Sequence, residues 1–297
     1  MKYLYFPGCC MHGMGKPVGE SILAVFQALD HPLEEIEDWN CCGATTYMSV
    51  DEMKCFALSA RNLARALEQA KPKGAEPVHV VAPCSACYSL LLKTQHYIEE
   101  NPDVGKIVKS ALREVGLESE RLHQRVRVRH PLDVLVNDLG LERIKEKVKN
   151  PLKGLKVASY YGCLLVRPYA TFDSPHHPTS MDRLMQVLGA EPIDWPLKTR
   201  CCGGTLSSTI QGVGIRLSYI ILKEAQKRKA DLLINACPLC QFALECFQEE
   251  MKTRQDREIQ MPVFYFTQLA GQALGLSEKE LGLNRLFMPL PKIASAS

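Results

Sequence analysis

The chain has 297 residues, with 36 Lys+Arg against 33 Asp+Glu and 46% hydrophobic against 23% charged residues, a near balance that excludes a dedicated nucleic-acid binder and a charged disordered tail. At roughly 150 residues per domain the length points to two domains, and no apolar run reaches the roughly 18 to 20 residues that cross a bilayer. The N-terminal MKYLYFPGCC lacks the apolar stretch and small-residue cleavage site of an export signal, so a cytoplasmic protein is expected, and thirteen cysteines in such a chain point to metal binding or redox chemistry rather than structural disulfides.

Residues 3–7 are apolar and β-prone and read as a buried strand running into Gly8-Cys9. A helix is predicted over 20–28, with Ile22, Leu23, Val25, Phe26 and the following Leu29 on one face. Asn40-Cys41-Cys42-Gly43 comes next, then a helix over 51–69 and a strand over 77–81 that leads into Pro83-Cys84-Ser85-Ala86-Cys87. The stretch 101–154 is less regular. Within it the basic run 125–130 alternates like an edge strand with a solvated face, the alternative being a docking surface for an acidic partner. Pro151 and Gly154 interrupt the pattern and mark the expected boundary between domains 1–150 and 151–297. Beyond it a strand over 157–161 runs into Gly162-Cys163, and a helix over 179–188 precedes Arg200-Cys201-Cys202-Gly203. A helix over 215–229 and a strand over 231–235 lead to Ala236-Cys237-Pro238-Leu239-Cys240, and 289–297 reads as a frayed tail without chemistry.

Ten of the cysteines therefore form two matching sets. Cys9, Cys41, Cys42, Cys84 and Cys87 are followed at offsets of 154, 160, 160, 153 and 153 by Cys163, Cys201, Cys202, Cys237 and Cys240, which is the signature of a duplication. Strands alternating with helices imply parallel βαβ units, hence an α/β half repeated twice. Loops at the carboxyl ends of such strands converge on one rim, so each set should assemble there. The stretch between Cys42 and Cys84 is seven residues longer than its counterpart, the surplus falling near 71–74.

Five thiols per set discriminate among metals. A structural zinc takes four ligands around one tetrahedral ion, and an adjacent Cys-Cys pair fits that poorly. Adjacent thiolates reach two metals a few ångströms apart more readily, which favours a polynuclear iron–sulfur centre, with zinc in one or both halves as the alternative. An ordinary cubane uses four cysteines, so the fifth is either spare or part of an unusual cluster, and residue arithmetic leaves that open. Cys55 and Cys246 fall on helical stretches and read as small core residues, whereas Cys10, beside Cys9, reads either as a redox thiol or as packing. His12, three residues after Cys9, is a candidate proton donor by position alone, the alternative and commoner reading being an ordinary helix or loop residue; His176-His177 reads as exposed loop, and Gly212-Val213-Gly214 follows no strand and is no nucleotide fingerprint.

Carrying GCC, NCCGAT, APCSAC, YYGC, RCCGGTLS and NACPLC, the chain resembles the cysteine-rich CCG-domain proteins, and among them the B subunit of heterodisulfide reductase, over nearly its whole length. The resemblance implies two pseudo-twofold-related domains. It also implies that Cys9, Cys41, Cys42, Cys84 and Cys87 hold one noncubane 4Fe-4S cluster and Cys163, Cys201, Cys202, Cys237 and Cys240 another, which accounts for the fifth ligand. It implies a ferredoxin-like C subunit and a flavin-bearing A subunit as partners, and as substrate a disulfide or, in the sulfur-oxidiser branch, carrier-bound sulfur. The alternative that the resemblance leaves is an electron-transfer or membrane-docking CCG subunit of a succinate dehydrogenase-type complex, with a cluster or zinc in a structural role.

Overall fold

The structure is a computed structural model and describes residues 3–45, 47–71, 76–118 and 120–288; the 72–74 surplus and the 289–297 tail lie outside the described residues. Two four-stranded parallel sheets organise the chain. The first holds β1 (Tyr3–Tyr5), β2 (Glu34–Glu35), β3 (Val78–Val81) and β4 (Val126–Arg129) in the order β2-β1-β3-β4. The second holds β5 (Lys156–Tyr160), β6 (Glu191–Pro192), β7 (Leu232–Asn235) and β8 (Val263–Tyr265) in the order β6-β5-β7-β8. The same order from the same connectivity is the duplication expressed as topology.

Helices fill the crossovers, as parallel pairing requires. In the first half these are α1 (Gly8–Met11), α2 (Lys16–Ala28), α3 (Glu52–Ala70), α4 (Ser85–Glu100), α5 (Pro102–Glu114) and α6 (Leu122–Arg125). A connecting stretch of α7 (Pro131–Asp133), a π-helix (Val134–Gly140) and α8 (Leu141–Glu146) leads to the second half, which carries α9 (Ser180–Val187), α10 (Gln211–Lys227), α11 (Pro238–Glu245), α12 (Gln248–Arg254) and α13 (Phe266–Ala273). Local chemistry sets these limits. Asp51 caps α3 by accepting from the Lys54 N–H at 3.0 Å, while Pro17 and Pro238 sit in the first turns of α2 and α11, where an N–H has no helical partner anyway. β3 and β7 are buried along their whole length, because helices cover both faces of each sheet.

Two expectations need correction. Helix α10 begins at Gln211 rather than at 215, and it takes in Gly212 and Gly214. Gly214 is helical for a tertiary reason: a Cβ there would stand 2.5 Å from the Ser207 nitrogen, so only glycine lets the helix close on that loop. The basic run at 125–130 is indeed an edge strand, but its expected solvated face is largely absent. Arg127 is exposed, whereas Arg129 and His130 are buried. The Arg129 guanidinium pairs through Nε with Asp133 and through its two terminal nitrogens with Asp138 at 2.7 and 2.9 Å, and Tyr3 donates to Asp138 at 2.8 Å. The acidic partner of this strand is the chain itself.

The halves pack face to face. Helix α13 is buried almost all round and lies on α2, where Ser21 and Thr267 hydroxyls meet at 2.6 Å. Also between the halves, His96 stacks on Tyr169 with centroids 4.3 Å apart, and Tyr88 shares a hydrogen bond with Thr171.

Candidate metal centres

In each half the five cysteines come from the loops that follow three strands. Cys9 follows β1, Cys41-Cys42 follows β2 and Cys84 with Cys87 follows β3; Cys163, Cys201-Cys202 and Cys237 with Cys240 follow β5, β6 and β7. The rim predicted from topology is where they lie. Cys84 is the N-cap of α4 and Cys87 sits in its first turn, as Cys237 and Cys240 do on α11. Both CxxC pairs thus stand at the positive end of a helix dipole, although of the four thiols only Cys84 is lowered and Cys87, Cys237 and Cys240 are raised in their buried, thiol-lined surroundings.

The sulfurs stand in contacting pairs. Cys42 Sγ lies 3.2 Å from Cys87 Sγ, Cys202 Sγ 3.3 Å from Cys240 Sγ, and Cys41 Sγ 3.7 Å from Cys9 Sγ. Among the described residues no three His, Cys, Asp or Glu side chains are arranged to hold one metal ion. Backbone N–H groups of Gly203 and Gly204 point at Cys201 and Cys202 sulfur, both at 3.3 Å. A donor set made of thiols alone, paired and supported by amide N–H groups, fits a thiolate-ligated polynuclear group better than a single tetrahedral ion.

Burial grades each set from lip to floor. Cys9, Cys41 and Cys201 are exposed and Cys163 is half-buried, whereas Cys42, Cys84, Cys87, Cys202, Cys237 and Cys240 are buried. All five thiols of the second set line a mostly apolar cleft that the first half completes with Thr45, Ser85 and Ala86. At the lip, the hydrogen bond from Cys163 pulls Cys201 down to about 6 with help from the Gly203 N–H, and Cys41 is likewise lowered by donation from Cys42 and then Cys9. On the floor, donation from Cys10, Cys237 and Cys87 holds the Cys84 thiol well below its ordinary range despite full burial. Ser85 donates to the Ala236 carbonyl at 3.0 Å, so the two CxxC loops meet across the seam.

Several supporting residues are not evident from the sequence motifs. Ser59 donates to the Cys42 carbonyl at 3.0 Å and Ser218 to the Cys202 carbonyl at 2.7 Å, at an offset of 159 that a residue-by-residue alignment of the halves would expose. The pair Asp38-Trp39 is likewise repeated as Asp194-Trp195. Gly8 and Gly162 precede the first cysteine of each set at positive φ, and a Cβ on either would meet Cys87 Sγ at 3.1 Å or Cys240 Sγ at 3.4 Å. The positive φ at both positions, +67° and +73°, is what favours glycine there.

Of the remaining candidates, Cys55 is buried and donates to the Gly43 carbonyl at 3.5 Å, and Cys246 is half-buried beside Phe242, so both are packing residues. Cys10 touches Cys9 and Cys84. His12 is exposed, its ring 5.1 Å from that of Trp39 and its Nε2 3.6 Å from Glu35. His176 and His177 lie in the expected exposed loop, tied back by the Ser174 hydroxyl.

The family model of the cysteine-rich domain CCG matches residues 3–92 and 157–245. The 8-methylmenaquinol:fumarate reductase membrane anchor subunit of Wolinella succinogenes is 32% identical over 98% of this chain and 99% of its own length. A protein of Archaeoglobus profundus described as like the B subunit of heterodisulfide reductase is 29% identical over 95% and 94%, and the B subunit of the ferredoxin:CoB-CoM heterodisulfide reductase of Methanosarcina mazei 26% identical over 96% and 93%. A crystal structure of a hypothetical protein from Helicobacter pylori superposes with a TM-score of 0.75 at 15% identity, over 98% of this chain and 52% of that one; the likeness is one of fold, and this chain spans about half the other's length. Each match of the family model encloses one five-cysteine set on one parallel sheet: the chain belongs to the cysteine-rich CCG family and carries its domain twice.

Proposed function

We propose that this chain is the iron–sulfur subunit of a heterodisulfide reductase-like complex that cleaves or forms a disulfide or carrier-bound sulfur bond. Residues 1–150 and 151–297 are its two units. Cys9, Cys41, Cys42, Cys84 and Cys87 hold one noncubane 4Fe-4S cluster and Cys163, Cys201, Cys202, Cys237 and Cys240 the other. Such clusters supply single electrons, and two of them match the two electrons of an S–S bond. The observation that carries this reading is the meeting of two five-thiol sets at one seam, where Ser85 donates to the Ala236 carbonyl and Ser85 and Ala86 wall the cleft of the second set.

The chain's own residues do the rest. Buried floor thiols on the first turns of α4 and α11 fix the two centres, the exposed lip of Cys9, Cys41 and Cys201 leaves a substrate sulfur access, and the apolar lining of the cleft limits water. The balanced reaction takes R–S–S–R′, two electrons and two protons to R–SH and R′–SH. His12, exposed beside Glu35 and three residues after Cys9, is the candidate for passing protons from solvent to a released thiolate. Electrons come from a ferredoxin-like C subunit and a flavin-bearing A subunit of the same cytoplasmic complex.

A second reading is favoured by the 32% identity to a membrane anchor subunit of a fumarate reductase. In it the chain docks a related complex at a membrane and relays electrons, with a cluster or zinc in a structural role. Among the described residues no helix is long and apolar enough to cross a membrane, so docking would use a partner or the surface. Metal analysis after anaerobic purification separates the two: about eight irons with matching acid-labile sulfide supports the first, and about four irons with one zinc supports the relay. A Cys201→Ala variant should lose the second cluster's paramagnetic signal and disulfide turnover. Retention of both would overturn the ligand assignment.

A further inference from the structure

His130 has no part in the chemistry proposed for the clusters, yet it occupies the centre of the seam. It immediately follows β4, is fully buried, and packs edge-on against Tyr88 with centroids 5.8 Å apart and tilted against Phe266 at 6.1 Å. Its Nδ1 accepts from the Leu132 N–H at 3.2 Å, which leaves the ring proton on Nε2. That one proton faces two carbonyls, Pro83 O at 3.2 Å and Ala236 O at 3.0 Å. Pro83 and Ala236 are the residues immediately before Cys84 and Cys237, one from each half.

The surrounding bonds run crosswise between the halves. Ser85, from the first, donates to Ala236 O at 3.0 Å; Tyr265, from the second, donates to Pro83 O at 2.9 Å, its hydroxyl 3.5 Å from His130 Nε2. Sheet register makes His130 and Tyr265 equivalent. Val81 pairs with Arg129 on β4, and Ile234, its counterpart at an offset of 153, pairs with Phe264 on β8, so the next residue along the chain is His130 or Tyr265. The same end-of-strand position supplies a donor from both halves, but only the imidazole reaches both carbonyls.

We propose that His130 is a positioning residue that fixes the separation and relative orientation of the two thiol centres through the Pro83 and Ala236 carbonyls, so that they act as a coupled pair. This rests on the reading that both sets carry iron–sulfur centres. A hydrogen bond to one half alone would stabilise the fold equally well. A donor shared between the residues that precede Cys84 and Cys237 resists their sliding apart, because any movement of one loop relative to the other stretches one of its two bonds. Two-electron chemistry split between two one-electron centres depends on that spacing, and a displacement of about 1 Å at a reacting centre can cost a hundredfold in rate.

The test uses the anaerobically purified full chain in its complex. A His130→Phe variant keeps the ring and its packing on Tyr88 and Phe266 but removes the donor. It should retain the wild-type iron and sulfide content, show a weakened magnetic interaction between the two reduced centres by electron paramagnetic resonance, and lose roughly tenfold to a hundredfold in two-electron disulfide turnover. One-electron dye reduction should be unchanged. A His130→Gln variant, which offers an amide N–H to the same carbonyls, should restore the interaction at least in part. Unchanged magnetic interaction in His130→Phe, or a His130→Gln variant as impaired as His130→Phe, would overturn the proposal. If His130→Phe does not fold, Tyr265→Phe removes only the neighbouring hydroxyl and should shift the interaction in the same direction by less; no shift overturns the proposal. Absence of iron from one or both sets of the wild-type chain would instead overturn the reading on which this one rests, and this inference with it.

Discussion

Gly43 and Gly203 occupy equivalent places after the Cys-Cys pairs, at φ values of +91° and +74°, but a methyl group on each would meet different obstacles. At Gly43 the nearest atom is Cys55 Sγ at 2.8 Å, the end of a side chain, whereas at Gly203 it is the Gly214 Cα at 2.8 Å, which belongs to a helix backbone. Gly203→Ala should therefore cost more than about 2 kcal/mol and empty the second set, with no simple compensation. Gly43→Ala should be partly rescued by Cys55→Ala, which removes the clashing sulfur and leaves only the backbone cost; urea unfolding of the single and double variants decides this, and an unrescued double variant would contradict it. His130 offers a second prediction at this scale. Desolvation holds its imidazole at about 4, against the two carbonyl bonds that favour its charged form. The folded chain therefore binds this proton only at low pH, while the unfolded chain binds it below its ordinary 6.5. The resulting stability is complete above pH 6.5 and falls by about 3 kcal/mol as the pH drops towards 4. His130→Gln should flatten the dependence of the urea midpoint over that window relative to wild type, and parallel curves would refute the assignment.

At the scale of elements, β4 shows what periodicity reads and what it misses. The alternation in residues 125–130 identifies an edge strand, but charge alone suggests water on its polar side. The actual partners, Asp133 and Asp138, lie on the helical stretch that follows and face Arg129 because that stretch folds back over the strand end. Arg129→Met should thus leave two carboxylates poorly compensated and destabilise the chain by about 3 to 5 kcal/mol, as judged by urea denaturation. A cost below about 1 kcal/mol would mean that the network is solvated after all. The cysteine sets were legible because covalent spacing and topology together put their thiols at strand ends. Ser59, Ser218 and Tyr265 were not, since a hydroxyl that binds a carbonyl is recognisable only once the loop it supports has a shape. Strand β8, three residues long, carries too short an alternation to distinguish it from a buried turn; its partner β7 defines it.

At the scale of the molecule, the seam makes the two units interdependent. Helix α13 of the second is buried on α2 of the first, and the crosswise bonds at Pro83 and Ala236 tie their loops together. Trp39 packs on Phe6 in the first half, and Trp195 donates to the Ser159 carbonyl in the second at 3.0 Å, so each tryptophan reports on its own sheet. Trp39→Phe and Trp195→Phe variants, each retaining one fluorophore, should unfold in urea with coincident midpoints after correction for the substitution itself, as expected of one cooperative unit. Separated transitions would show that the halves melt independently.

The cleft of the second set, walled in part by Thr45, Ser85 and Ala86, also imposes an order in time. Those three residues leave the ribosome well before Cys163, and domains tend to fold from the N-terminus during synthesis. The second pocket therefore forms against residues already synthesised, whereas α2 of the first half stays uncovered until α13 has been made. A chain released early would present a first sheet with an open flank, and maturation factors would meet the two halves at different stages of completion.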